Sequence, residues 1–427
     1  MRNALSLLER PNLDRRALVG YRRERITELS GPIALALMEG GFVGVVADKV
    51  YHAHPALLAL ITATPMMANL SSFVWARLAR GRRKVPFVTA LQAGMVAGVA
   101  GVALAPDGPL GAWVLVGCMM AVRLMLAGSI TVRSTIWSLN YPADVRARYA
   151  GRLQILTTVT IVVSSFVASR VLDASPENFR LIYAGAALLA MGGVVAFAGV
   201  PHLREQELLA LESGRNEDDE GPSRGLFAVL RDDPEYARYQ ACQFALGTSN
   251  MMIEGPIIYL VSRELGADYT VSIAITLGIP LALTALTIPL WAIYVDRVHI
   301  AHFRARQSWL WVLSQVLTMV GALMGSIAVL VGARVVLGIA RGGGSLAWNL
   351  GHNDFSSERD LAAYMGANVT LTGVRGMFAP FLGMLLYVGT ERIPGFSGIG
   401  AWTFGAAAAL STLSAAGFIL LARRIRV

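Results

Sequence analysis

Residues 31–50 read GPIALALMEGGFVGVVADKV. About 20 apolar residues in a helix are needed to cross the hydrocarbon core of a bilayer, and this run meets that length. One acid, Glu39, stands in its middle. A carboxylate facing lipid is expensive, so an acid kept inside a span faces a bundle interior or a water-filled cavity. A second run, QACQFALGTSNMMIEGPIIYLV, carries Glu254 at the matching place, 215 residues on. The same offset joins Pro65 to Pro280, Gly128 to Gly343, Tyr149 to Tyr364 and Gly151 to Gly366. The chain reads as an internal duplication organised around two intramembrane acids.

Composition agrees. Hydrophobic residues make up 55% and charged residues 15% of the 427, and mean hydropathy is +0.54. Soluble domains average about 25% charged. Twelve apolar runs recur along the chain, with none of the ten-residue alternation of a membrane barrel, so an all-α membrane protein of twelve transmembrane helices is predicted. The two cysteines, Cys118 and Cys242, fall inside spans and imply no disulfide framework.

The net charge of +9 invites a nucleic-acid reading, but its distribution explains it otherwise. With the N-terminus placed in the cytoplasm, the opposite side collects only Lys49, Arg170, Arg180, Arg263 and Arg392. This is the positive-inside pattern of a polytopic membrane protein with both termini cytoplasmic, and no nucleic acid is expected as a partner. Residues 1–30 read as a basic, amphipathic cytoplasmic segment, 31–200 as a first six-helix bundle and 239–427 as a second. Residues 201–238 form a cytoplasmic linker, with the acidic run Asn216 to Glu220 followed by the amphipathic GLFAVLRDDPEYARY. Six spans repeated in the same orientation is a parallel repeat, one of the plans of secondary transporters.

With these features the chain resembles the major facilitator superfamily over essentially its whole length. The family's inner-loop pattern, G-x-x-x-D-R-x-G-R-R, is split between the halves: Gly81, Arg82 and Arg83 follow span two, and Asp296 and Arg297 follow span eight. In the first copy Val74 and Leu78 stand where the pattern has its glycine and aspartate. The proline-rich antiporter signature is absent from span five, and Gly376 to Pro380 with Gly383 gives a related arrangement in span eleven. The resemblance implies two pseudo-symmetric six-helix bundles that rock about a central site lined mainly by spans one, four, seven and ten.

Candidate site residues are the polar groups of those spans and their neighbours. Glu39 lies beside Met38 and Phe42, apolar groups that disfavour its charged form; loading and releasing a proton is the property expected of it and of Glu254. The alternative for either acid is a silent ion pair with a buried arginine. Arg123, in AVRLMLAGSITV of span four, is placed to counter Glu39 or to meet an anionic group. Arg341 precedes Gly342, Gly343 and Gly344 in span ten, where glycines permit unwinding or close helix packing. Asn69, Asn250, Asn368 and Arg375 complete a polar lining. His352 has no second His or Cys to complete a metal set, so no metal is expected.

No phosphate-binding loop or nucleotide-binding domain is present in the sequence, and no nucleophile and base constellation; neither an enzyme nor a cofactor is expected. The expectation is a monomeric secondary transporter of small molecules, working by proton-coupled alternating access in a bacterial cytoplasmic membrane. Two acids among Met, Leu and Phe favour export of lipophilic or cationic molecules by antiport, whereas the span arginines favour uptake of a small anionic metabolite. A sensor or assembly subunit without net flux is the reading from a different class.

Overall fold

The computed structural model describes residues 15–141, 143–201, 204–213, 226–356, 361–390 and 396–425. The first 14 residues, the acidic run Asn216 to Glu220 and Arg392 lie outside the described residues. Among the described residues there are helices and turns but no strand. In order these are α1 (Arg15–Leu37), α2 (Gly40–Tyr51), α3 (Pro55–Asn69), α4 (Ser72–Ala79), α5 (Lys84–Ala103), α6 (Pro109–Asn140), α7 (Ala143–Ala174), α8 (Phe179–Ala198) and α9 (Glu205–Ser213). The second half has α10 (Leu226–Asp232), α11 (Pro234–Met252), α12 (Glu254–Tyr259), α13 (Tyr269–Ile273), α14 (Ile279–Val295), α15 (Ile300–Leu323), α16 (Ile327–Leu350), α17 (Leu361–Val388) and α18 (Trp402–Arg424).

Among the described residues, 9 helical segments are long and apolar enough to cross a bilayer, the α1–α2 segment counting as one. The three remaining spans expected from the sequence fall short of that standard for visible reasons. The second is split into α3 and α4 around Leu70 and Ser71, and the seventh, interrupted at Ile253 between α11 and α12, carries Glu235, Arg238, Gln240 and Gln243 in α11. The ninth, α15, is continuous but carries Arg304, Arg306, Gln307 and Gln315. α8 shows what lipid does to sequence: Leu181, Leu188 and Val195, seven residues apart, are each about two-thirds exposed or more, while Tyr183, Ala190 and Phe197 are buried.

Local sequence sets the helix ends. Asp233 caps α11, its carboxylate accepting from the backbone N–H groups of Glu235 and Tyr236, with Pro234 at the first helical position. The amphipathic stretch before it forms the short helix α10, with Val229 buried and Phe227 exposed. The basic lead-in is, from Arg15, one continuous helix with the first span, and it buries Ala17, Gly20, Glu24 and Glu28.

Packing divides the chain into two compact units, Met1–Glu39 with Ser71–Glu220, and Gly40–Leu70 with Gly221–Val427. In the first unit α1 packs on α7 and α8, and α5 on α6 and α8. In the second, α15 packs between α16 and α18, α11 lies against α17 and α18, and α3 lies along α17. The second unit's core includes Tyr236, Tyr239, Phe303, Phe418 and Leu337, with a further cluster around Ile253, Ile257, Tyr387 and Phe404.

Helix crossings at the breaks depend on glycine. A Cβ on Gly383 would stand 1.7 Å from the carbonyl oxygen of Met252, at the interruption of the seventh span. That neighbour is backbone and cannot swing aside. Overpacking of this kind costs roughly 1–3 kcal/mol or more, so Gly383→Ala is expected to lower the thermal unfolding midpoint by several degrees. Gly332→Ala, which would meet nothing within 4 Å, is the matched control and should leave the midpoint in place or raise it slightly.

Candidate functional site

Glu39 does not sit within a helix. α1 ends at Leu37, the Met38 and Glu39 amides bond back to Leu35 and Ala36 in tight turns, and α2 starts at Gly40. Two successive glycines, Gly40 and Gly41, follow the acid and make continuation of the helix costly there. A break in hydrocarbon frees carbonyl groups that need donors. Tyr183 Oη donates to the Leu37 carbonyl at 2.9 Å and Arg123 Nη2 donates to the Met38 carbonyl at 2.6 Å. The same Arg123 Nη2 lies 3.0 Å from Glu39 Oε2. The arginine of span four therefore both closes the backbone and balances the acid. Its side chain is 9% exposed and that of Glu39 28%, so the carboxylate is the accessible member.

The second unit repeats the device with a different tightness. Glu254 opens α12 directly after the interruption at Ile253, and Gly255 and Pro256 follow it, proline being tolerated in a first helical turn. Arg341 Nη2 stands 3.9 Å from Glu254 Oε1, and the two side chains are 46% and 27% exposed. At this length the pair is loose. Arg334, two turns before Arg341 on α16 and 1% exposed, donates from Nη2 to Thr318 Oγ1 at 3.2 Å, and its Nε has no hydrogen-bond partner among the described residues.

The remaining candidates separate into networks. Asn250 accepts from Gln315 Nε2 at 2.8 Å. Arg375 donates to the Gln243 carbonyl and to Thr372 Oγ1, while Thr372 also receives Trp348 Nε1 and Asn368 donates to the Trp348 carbonyl at 3.0 Å. These groups pin α11, α16 and α17 to one another. Asn69 is the exposed last residue of α3. Of the inner-loop pattern, Gly81 has φ +67° and donates its N–H to Glu212 Oε2 at 2.7 Å. Arg83 pairs with Glu205 at 3.1 Å, and the adjacent Lys84 pairs with Glu212 at 2.7 Å, so the turn is fastened to α9. Arg82 is exposed, as are Asp296 and Arg297 at the end of α14.

Two charged groups escape the sequence-based selection. Arg133 on α6 lies between two acids of α1, with Nη2 2.8 Å and Nε 3.2 Å from Glu24 Oε2 and Nη1 against Glu28 Oε1. Trp137 Nε1 and Tyr141 Oη also donate to Glu24, at 2.6 and 2.8 Å. The signal was the i, i+4 spacing of Glu24 and Glu28 on a helix continuous with the first span. The second group is Asp48 on α2, 2.5 Å from Arg263, with Lys49 donating to the Ala267 carbonyl.

Solved structures share this architecture. A variant of nucleoside transporter NupG superposes with TM-score 0.73 at 13% identity, covering 94% of this chain and 99% of that one. A peptide transporter POT in complex with sulfate gives 0.68 at 14%, with 95% and 94% covered. A D-xylose-proton symporter gives 0.65 at 14%, with 93% and 96% covered. No family model and no curated protein matches the sequence. At such identities the likeness is one of fold, and the fold of this chain is the twelve-helix membrane fold of the major facilitator secondary transporters.

Proposed function

We propose that the chain is a proton-linked secondary active transporter of small polar solutes bearing an anionic group. The observation that carries this reading is the pair of acids at helix breaks, Glu39 and Glu254, each facing an arginine within its own unit. An acid held this way can exchange partners: protonation of the carboxylate releases the arginine to a substrate anion, and loss of the proton returns it. Arg341, nearly half exposed and 3.9 Å from its acid, is the group readiest to receive a carboxylate or phosphate. The excess of buried arginine in the second unit points the same way. Arg304, Arg334 and Arg375 are each at most 5% exposed, and among the described residues none forms an ion pair. Export of lipophilic or cationic molecules needs an acid left free for cargo, which pairing with arginine does not favour.

The proposal keeps the two six-helix bundles, residues 31–200 and 239–427, joined by the linker 201–238, in a bacterial cytoplasmic membrane with both termini cytoplasmic and the monomer as the working unit. Within it, Asn69, Asn250 and Asn368 are polar lining, and Arg375 a positioning group. Gly81, Arg82, Arg83, Asp296 and Arg297 serve conformational change. The loop's attachment to Glu205 and Glu212 supports that role for Gly81 and Arg83.

Proteoliposomes with an imposed pH gradient test the reading against a panel of organic anions, sugars and lipophilic cations. An inward proton gradient is expected to drive accumulation of one anion class. Arg341→Ala should weaken that substrate's binding about tenfold or more, the value of a lost charge-assisted hydrogen bond. Glu39→Gln should leave substrate exchange intact while abolishing accumulation driven by the gradient. Gradient-driven extrusion of lipophilic cations, lost in Glu39→Gln, would instead establish the exporter; an absence of flux with every class would leave the sensor reading.

A further inference from the structure

The exposed face of α7 is apolar with one interruption. Val159, Val163, Phe166, Val167 and Val171 recur at helical spacing and are 41% to 55% exposed, while Ser165, Ala168, Ser169 and Leu172 turn inward and are buried. On a spanning helix an apolar face of this kind is a contact surface for membrane lipid. The interruption is Arg170, an exposed residue one turn before α7 ends at Ala174. A long side chain so near the helix end carries its charge to the level of the lipid headgroups while its stem stays among the chains.

What sets Arg170 apart is that the protein does not use its charge. Lys49, Arg170, Arg180 and Arg263 are the described cations that the topology sets on the side away from the termini. Arg180 pairs with Asp107 at 2.6 Å and donates to the Ala105 carbonyl. Arg263 pairs with Asp48, and Lys49 donates to the Ala267 carbonyl. Among the described residues Arg170 has neither a hydrogen bond nor an ion pair. Its guanidinium keeps every N–H donor for a partner that is not protein.

Around it lies a groove of about 360 Å³, within the size range of small-molecule sites. Its lining follows the helix axis in order: Phe166 and Val167 one turn deeper, Arg170 and Val171 at the centre, Ser175 and Asn178 beyond the helix end. Ser175 stands before the tight turn Pro176–Asn178 and Asn178 before α8, and neither side chain caps the helix that follows it. Both keep hydrogen-bonding capacity for a ligand. The acids of this corner, Asp173 and Glu177, do not line the groove. Apolar, cationic and polar groups in that order match a phospholipid read from its chains outward. We propose that the groove seats one membrane phospholipid, its phosphate on Arg170, an acyl chain against Phe166 and Val167, and its headgroup toward Ser175 and Asn178. The planar fork of a guanidinium fits the paired oxygens of a phosphate. A free anion would meet Arg170 and leave the apolar wall uncovered, so the occupant is the lipid. The seat lies wholly within the first unit and uses none of the groups assigned to transport.

Native mass spectrometry of the full-length protein, released from nanodiscs containing phosphatidylglycerol, tests the seat. Wild type should retain one more phosphatidylglycerol than Arg170→Ala, whose affinity for it should fall about fivefold, the effect of one cation at an anionic headgroup. Arg170→Lys keeps the charge without the fork and should fall between the two. Arg180→Ala, whose charge is spent on Asp107, should match wild type. Diacylglycerol, with the same chains and no phosphate, should be retained no better by wild type than by Arg170→Ala. Equal retention of phosphatidylglycerol by wild type and Arg170→Ala, or of the two lipids by wild type, would overturn the proposal. Displacement of the bound lipid by inorganic phosphate would overturn it too, by showing a site for a simple anion. No cargo is present, so this result and the transport reading fail separately.

Discussion

Hydrocarbon supplies no hydrogen bonds, so each interruption of a spanning helix has to be satisfied from inside the protein. The first span is interrupted at Met38 and Glu39, and the structure there rests on one guanidinium. Arg123 donates to the Met38 carbonyl and faces Glu39, and Tyr183 takes the next carbonyl back. Backbone repair and charge balance are thus the same contact. Removing it would leave an unpaired acid and an unpaired carbonyl in the same place, two costs of several kcal/mol each.

The two halves use this device unequally. In the first unit the arginine is buried and close to its acid; in the second it is half exposed and farther off. The two acids stand at breaks 215 residues apart, but the arginines come from different registers of spans four and ten. The pair of the first unit is therefore the tighter, at 3.0 Å against 3.9 Å.

How much of this could be read from the chain follows from what periodicity and cost reveal. The membrane class, the helices, the linker helix before Pro234 and the acids Glu39 and Glu254 were legible because apolar length and an isolated acid in a span are strong signals. The helix breaks at Met38 and Ile253 were not, since glycine and proline are common inside spans and weaken a helix without dictating where it opens. The Glu24, Glu28 and Arg133 cluster was missed for a physical reason too. Its acids lie among Arg22, Arg23 and Arg25, so the stretch has the composition of a solvated lead-in, and only packing of α1 on α7 and α8 buries it. The fastening of Gly81 and Lys84 to α9 joins loops more than 100 residues apart, a relation no local pattern encodes.

Both sets of acids on the first span find their arginines on the fourth: Glu39 on Arg123, and Glu24 and Glu28 on Arg133. The ribosome makes the acids roughly a hundred residues before it makes their partners. An ionised residue near the middle of a helix costs about 3 kcal/mol to insert into a bilayer alone. During synthesis the first span therefore gains its electrostatic partners only when the fourth arrives. The order of translation thus leaves the acids of the first span without their partners until Arg123 and Arg133 of the fourth are made.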